Sequence, residues 1–419
     1  MKKIALCVTT YNKKENIEIF LKCEIDIVKK YKIDLYIFDS SDNNYIENTM
    51  KPFLMEERVY YEKMDSNLTS AEKVFMIYQK FEYSDYDYIW MTHDHTEIKD
   101  EAFEIVLGAL NNNEDFVVIN MNAVEYCNIK ICSLDDFMFK SALILRRFGT
   151  AIVSIKGFIN GSQWSEILKK FLKKDTMDFS HVGYYLDRAS EIQDFKSSIL
   201  EIPHEYFRDY TRDKKSSWYY DTLRISTECW GKVILCQSFK YSRNAKRRTL
   251  KSGGCTTLTP YKLILIKKEN RYNLFEYLKY FKWIRVSYTL KDLMRFGIIA
   301  VLPIKVVTYV YNWKLRMRIN KEKHNGNKVV IYGAGRFATE CAIRFEDAAV
   351  EYDGFIVETM NDNPDNFNSH NVYIAKDYIK KNDCFVVIAI AKNGVNAVKN
   401  YLDSINGKGK LKYIEFGDL

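Results

Sequence analysis

The regular alternation of short apolar runs with helical patterns across residues 4–119 decides what this chain can fold into. Ile4 to Thr9 is a strand-length run. Asn12 with Glu15 three residues on marks a helix start, and Ile17, Phe20, Leu21 and Val28 follow at helical spacing. Further strand-like runs are Leu35 to Phe38, Val59 to Tyr61, Tyr88 to Met91 and Phe116 to Ile119. Ala71, Val74, Phe75, Tyr78 and Phe81, then Ala102, Ile105, Val106 and Leu110, supply helical faces between them. Such repetition predicts an α/β fold with a mostly parallel sheet covered on both faces.

In an open parallel sheet, ligands bind beyond the carboxyl ends of the strands. The first run ends in Thr9-Thr10-Tyr11-Asn12, the second in Asp39-Ser40-Ser41-Asp42, the third is followed by Asp65-Ser66-Asn67, and the fourth by His93-Asp94-His95. Any one of these clusters is an ordinary turn, because Asp, Asn and Ser are turn residues. Four of them on the same edge predict a binding edge.

Beyond residue 120 the alternation weakens. Residues 120–260 are expected to complete the first domain, closing in the basic stretch Asn244-Ala245-Lys246-Arg247-Arg248 and Lys251-Ser252-Gly253-Gly254, which suits a loop over a diphosphate. Residues 261–326 read as a basic helical linker. Its most apolar piece, Phe296 to Trp313, is interrupted by Pro303 and Lys305 and is shorter than a spanning helix requires, so it is expected at most to lie on a membrane surface. At Lys328 a new pattern starts: a Val329-Val330-Ile331-Tyr332 strand, a glycine turn at Gly333, Gly335 and Ala338 entering a helix, and a second strand ending in Glu358. In outline this is the dinucleotide fingerprint, with Ala at its third glycine position, of a Rossmann-like unit expected over residues 327–419; a unit that binds NAD(P), another nucleotide or nothing fits it equally.

With 419 residues the chain is long enough for several domains. Its nine cysteines fall in no zinc or disulfide spacing. Met1-Lys2-Lys3 runs into a strand without an apolar leader, so a cytoplasmic protein with reduced thiols is expected. Much of the formal excess charge of +8 sits between about residues 240 and 325, which favours a phosphate-bearing partner or anionic membrane surface over nucleic acid.

In the order and spacing of Thr10-Tyr11-Asn12-Lys13, Asp39-Ser40-Ser41-Asp42, Asn67 and the acidic cluster after Tyr-Ile-Trp, the N-terminal half resembles the family 2 bacterial glycosyltransferases of the GT-A fold. The C-terminal unit resembles small Rossmann modules attached to bacterial sugar-modifying proteins. The resemblance implies an inverting transferase that moves a sugar from a nucleotide-sugar, with UDP favoured, to a surface-glycan or lipid-linked acceptor in polysaccharide or capsule biosynthesis, on the inner face of the membrane. Thr10, Tyr11, Asn12, Asp39, Ser41 and Asn67 would then hold the nucleoside, with Lys246 and Arg247 over the diphosphate. Asp94, with His93 or His95, would hold Mn²⁺ or Mg²⁺, although the family's second aspartate is missing. Asp187 would be the general base, with Glu191 one helical turn on.

The resemblance also implies an acceptor end at Trp230-Gly231-Lys232. Two other readings compete: a nucleotide- or NAD(P)-binding regulatory protein with a degenerate transferase domain, and a structural partner in an assembly complex. The sugar, the acceptor and self-association stay open.

Overall fold

The structure is a computed structural model and describes residues 2–123, 125–209, 221–360, 363–390, 394–406 and 411–416. It is a mixed α/β protein that divides into two compact units. One comprises residues 1–260 and 275–295, the other 261–274 and 296–419. The expected linker is thus shared between the two.

The first unit is built on β1 (Ile4–Thr10), β2 (Asp34–Asp39), β3 (Val59–Lys63), β4 (Tyr88–His93), β5 (Thr96–Ile98), β6 (Phe116–Ala123), β7 (Cys127–Ile131), β8 (Ala151–Ser154), β9 (Ser197–Pro203) and β10 (Phe207–Asp209). Eight of these form one sheet in the order β3-β2-β1-β4-β8-β6-β9-β7, and β5 pairs with β10 in a separate ladder. β1 is parallel to β2 and β4, β2 to β3, and β6 to β9. β8 lies antiparallel between β4 and β6, so both of its neighbours run the same way. The carboxyl ends of β1 to β4, β6 and β9 therefore share one edge, joined there by the residues entering β8.

Alternating side chains of the sheet feed two cores. On one face Ile4, Leu6, Val8 and Trp90 pack with Phe20, Leu21 and Phe103; on the other Ala5, Cys7, Ile89 and Met91 pack with Phe75, Tyr78 and Tyr185. Both faces of β1 are dry, which is why it reads as a continuous apolar run.

The second unit carries β11 (Lys328–Tyr332), β12 (Gly354–Val357), β13 (Asn366–Phe367), β14 (His370–Ile374), β15 (Cys384–Ile388) and β16 (Lys412–Glu415), in the order β13-β14-β12-β11-β15-β16. From β14 through β16 every pair is parallel. This is doubly wound order, with the switch point between β11 and β15. Leu315 and Ile319 of helix Ile304–His324 complete its core.

The apolar piece 296–313 is not one segment. It is divided between helices Leu290–Val301 and Ile304–His324, with Pro303 as N-cap of the second. No helix among the described residues is long and apolar enough to cross a membrane.

Candidate functional site

The tips of β1 and β2 are stapled together by their own side chains. Asn12 adopts the left-handed conformation (φ 51°) that Asn tolerates better than most residues. There its backbone N–H donates to Ser41 Oγ at 2.7 Å and its amide Nδ2 to Asp42 Oδ2 at 3.1 Å. The Asp42 N–H returns a hydrogen bond to Asn12 Oδ1. Tyr11 also donates its hydroxyl to Asp42, at 3.0 Å, while its ring stays 47% exposed.

Below this staple Asp39 is fully buried and accepts from the Ser41 N–H (2.7 Å), Tyr61 Oη (2.8 Å) and Lys63 Nζ (2.9 Å). Burial alone would raise its pKa; the hydrogen bonds from Ser41, Lys63 and Tyr61 outweigh that and hold the carboxyl below its usual range. Asp39 is a charged anchor for the loop, with Oδ2 already accepting two hydrogen bonds.

The β3 tip adds positive charge. Asp65 Oδ1 accepts from the backbone and side chain of Asn67, and Thr69 with Glu72 forms a capping box that starts helix Ser70–Phe81. In the first turn of that helix Lys73 is buried with its ammonium 5.2 Å from the Tyr11 ring centre. Burial lowers its pKa, against the pull of Asp39 and Asp42. An exposed ring beside an ammonium and a helix N-terminus suits a base followed by phosphate.

The β4 tip joins the others through Thr10, whose hydroxyl donates to Asp94 Oδ2 at 2.6 Å in a buried contact. Asp94 Oδ1 lies 3.5 Å from His95 Nδ1. The His93 and His95 rings stack at 3.6 Å with 14° between their planes. Burial, then the neighbouring His95 and Arg147, pushes His93 down to about 3, so it is neutral. Imidazole lone pairs lie in the ring plane, and two near-parallel planes this far apart share no point from which both nitrogens could bind one ion. Of the expected ligands, Asp94 with His93 or His95, only one imidazole at a time can therefore join Asp94 on a given ion. Among the described residues no group of three or more His, Cys, Asp or Glu is arranged to hold a metal.

Residues entering β8 close the edge. Gly149, at φ +88°, accepts the Trp90 Nε1–H at its carbonyl, and a Cβ there would sit 3.3 Å from Thr92 Oγ1. Phe148 lies 6.3 Å from both the His93 and His181 rings.

Thr10, Tyr11, Asn12, Asp39, Ser41 and Asp94 are thus brought to one edge, with Asn67 on the β3 loop beside them. Four other residues are not. His181 opens helix Ser180–Glu191 near this edge, whereas Asp187 lies six residues on, about 9 Å along the axis. There Arg188 binds the carbonyls of Phe158 and Asn160, beyond the far end of β8. Asp187 pairs with Lys170 at 2.6 Å in a separate cavity of about 310 Å³, and Glu191 pairs with Arg188. Neither is placed to take a proton at the strand tips.

Lys246 and Arg247 do not sit on a loop over a diphosphate either. They lie in helix Arg243–Thr257, where Lys246 donates to the Gln237 carbonyl at 2.6 Å. Trp230 is core: it packs on Phe179, with the Arg146 guanidinium 4.9 Å from its ring, while Lys232 is taken up by Asp175 and Glu228.

Sequence reasoning missed Asp42, Lys63 and Lys73 as site residues. Asp42 had a signal, four residues in a row at a strand tip; Lys73 had only its place one helical turn after Thr69.

In the second unit Gly333 (φ +112°) follows β11, and a Cβ on it would stand 3.1 Å from the Ala389 carbonyl. Gly335 caps helix Arg336–Asp347, and a Cβ on it would meet no atom of the described residues within 4 Å; Ala338 is buried, and Glu358 is exposed just beyond β12.

No family model matches the chain, and no curated protein matches it. Among solved structures it is similar to S. aureus TarS 1–349 in complex with UDP-GlcNAc, at 11% identity and TM-score 0.36 over 71% of this chain and 90% of that one. It is similar to the mannosyltransferase PcManGT of Pyrobaculum calidifontis in complex with GDP-Man and Mn²⁺, at 11% and 0.36 over 71% and 86%. A 4-diphosphocytidyl-2C-methyl-D-erythritol synthase of Anaerococcus prevotii matches at 13% and 0.33 over 51% and 94%. Likenesses this distant give no residue correspondence.

Proposed function

We propose that the first unit is a nucleotide-sugar glycosyltransferase, inverting and of hexosyltransferase type, with a UDP-sugar as favoured donor and a surface-glycan or lipid-linked hydroxyl as acceptor. The observation that carries the reading is the 2.6 Å hydrogen bond from Thr10 to Asp94, which with the Asn12–Ser41 and Asn12–Asp42 staples ties three strand tips into one edge. Tyr11 offers a stacking face to the base, and Lys73 lies where phosphate charge would follow. Thr10 holds one oxygen of Asp94 and leaves the other directed at His95.

A divalent cation fits this pair as one that takes its remaining ligands from diphosphate and water. Asp94 and one imidazole would hold it, and when bound it neutralises charge on the leaving diphosphate. Neutral His93 keeps a second positive charge away from that position.

Hydrolysis of UDP-, GDP-, TDP- and CMP-sugars with and without Mn²⁺ tests the reading. One donor should be cleaved in a way that Asp94→Asn abolishes; a chain inert to all four under both conditions contradicts it.

A second reading, regulatory nucleotide binding by the C-terminal unit, is favoured by the helix N-terminus at Gly335, entered from β11 beside the switch point of a doubly wound sheet. Thermal stabilisation by NAD(H) but not by UDP with Mn²⁺ would select it.

A further inference from the structure

The basic stretch expected over a diphosphate forms instead one wall of an open cavity of about 590 Å³ in the first unit. Along helix Arg243–Thr257, Arg243, Lys246, Arg247 and Lys251 recur at the spacing of one helical face and line this cavity, and Arg285 faces it from helix Leu274–Ser287. Among the described residues no carboxylate lines it. Some other cations of this unit do find acidic partners, as Lys170 does in Asp187 and Lys232 in Asp175 and Glu228. Among the described residues Arg243, Arg247, Lys251 and Arg285 have no hydrogen bond or ion pair to a carboxylate.

Apart from the hydroxyls of Tyr288 and Thr289 the remaining lining is apolar, with Leu250 and Leu293 buried and Val286 half-buried. At the rim Leu290 is 76% exposed, and one turn on Met294 is 63% exposed. A free polyanion has no use for such a wall, and a neutral hydrocarbon none for five cations. An ion that is charged at one end and apolar at the other uses both.

We propose that this cavity binds the phosphate of a lipid, with Arg243, Lys246, Arg247, Lys251 and Arg285 around the phosphate oxygens and the first carbons of the chain against Leu250 and Leu293, leaving past Leu290. The assignment stands independently of the strand-tip site, none of whose residues lines the cavity. It removes Lys246 and Arg247 from the donor site and gives them a different anion.

Calorimetric titration of the full chain with farnesyl phosphate, farnesol and inorganic phosphate in parallel tests it. Farnesyl phosphate should bind at least about tenfold more tightly than either of the others, and the double variant Arg247→Ala/Lys251→Ala should weaken it by about tenfold or more with an unchanged melting curve. Met294→Ser, which leaves every cation in place, should weaken farnesyl phosphate and leave inorganic phosphate as it was. Equal binding of farnesol, equal binding of inorganic phosphate, or indifference to the double variant overturns the proposal.

Discussion

Single buried ionisable groups set how this molecule responds to pH. Glu24 accepts the Ile98 N–H at 2.6 Å, and its second oxygen is buried without a partner among the described residues. Burial pushes its pKa up to about 8, the Ile98 bond opposing and Glu97 assisting. A raised carboxyl pKa means that the folded state holds the proton longer, so stability is full below about 4.5 and falls as pH rises toward 8. Glu24→Gln should therefore raise the melting temperature at pH 8.5 and change it little at pH 5. Equal shifts at both values would show that ionisation of Glu24 is irrelevant.

The histidines act in the opposite sense. Burial pushes His93 down to about 3 and His181 down to about 4, so the unfolded chain takes up protons first. Their contribution is full above the ordinary histidine value of 6.5 and is lost as pH falls from there toward 4 and 3. His181 Nε2 lies 3.0 Å from the Leu145 carbonyl, a contact that glutamine can reproduce. His181→Gln should flatten the fall in melting temperature between pH 6.5 and 4, and an unaltered slope would refute the assignment.

Among the elements, helix Ser180–Glu191 separates two residues that sequence spacing cannot. Asp187 lies a suitable distance along the chain to be a base, yet the helix carries it away from the strand tips while His181 stays near them. Asp187→Asn should accordingly keep sugar transfer and lose only its pair with Lys170; abolished transfer with intact nucleotide binding would restore it to the mechanism. Gly183 of the same helix has no room for a side chain, because a Cβ would stand 2.4 Å from Phe171 Cε1. Gly183→Ala should cost about 1–3 kcal/mol in denaturant unfolding through overpacking.

Strands β1 to β4 and β6 were legible because each is a local apolar run with turn residues after it. β8 was not legible as an antiparallel insert, since its place between β4 and β6 depends on pairing with segments far off in sequence. Much the same holds for the site. Thr10, Tyr11, Asn12 and Asp94 follow from the rule that ligands gather at strand ends, whereas the helical form of residues 243–257 and the stacking of His93 on His95 needed coordinates.

At the scale of the whole molecule, the two units do not follow chain order. Residues 275–295 belong with the first and 261–274 with the second. Helix Ile304–His324 supplies Leu315 and Ile319 to the core of the second unit, and Arg316 Nε donates to the Ala348 carbonyl at 2.8 Å. A fragment beginning at residue 296 should unfold cooperatively, while one beginning at 327 should bare an apolar face of β11 and lose cooperativity. Identical melting of the two fragments would place the boundary at 327.

The central claim is that the tips of β1, β2 and β4 form one site for a sugar nucleotide. Calorimetric titration of UDP with Mn²⁺ into the unaltered chain, Tyr11→Ala and Asp94→Asn tests it most directly. Saturable binding, weakened about tenfold or more by each substitution, is the predicted result. Binding that both variants retain in full would contradict the account.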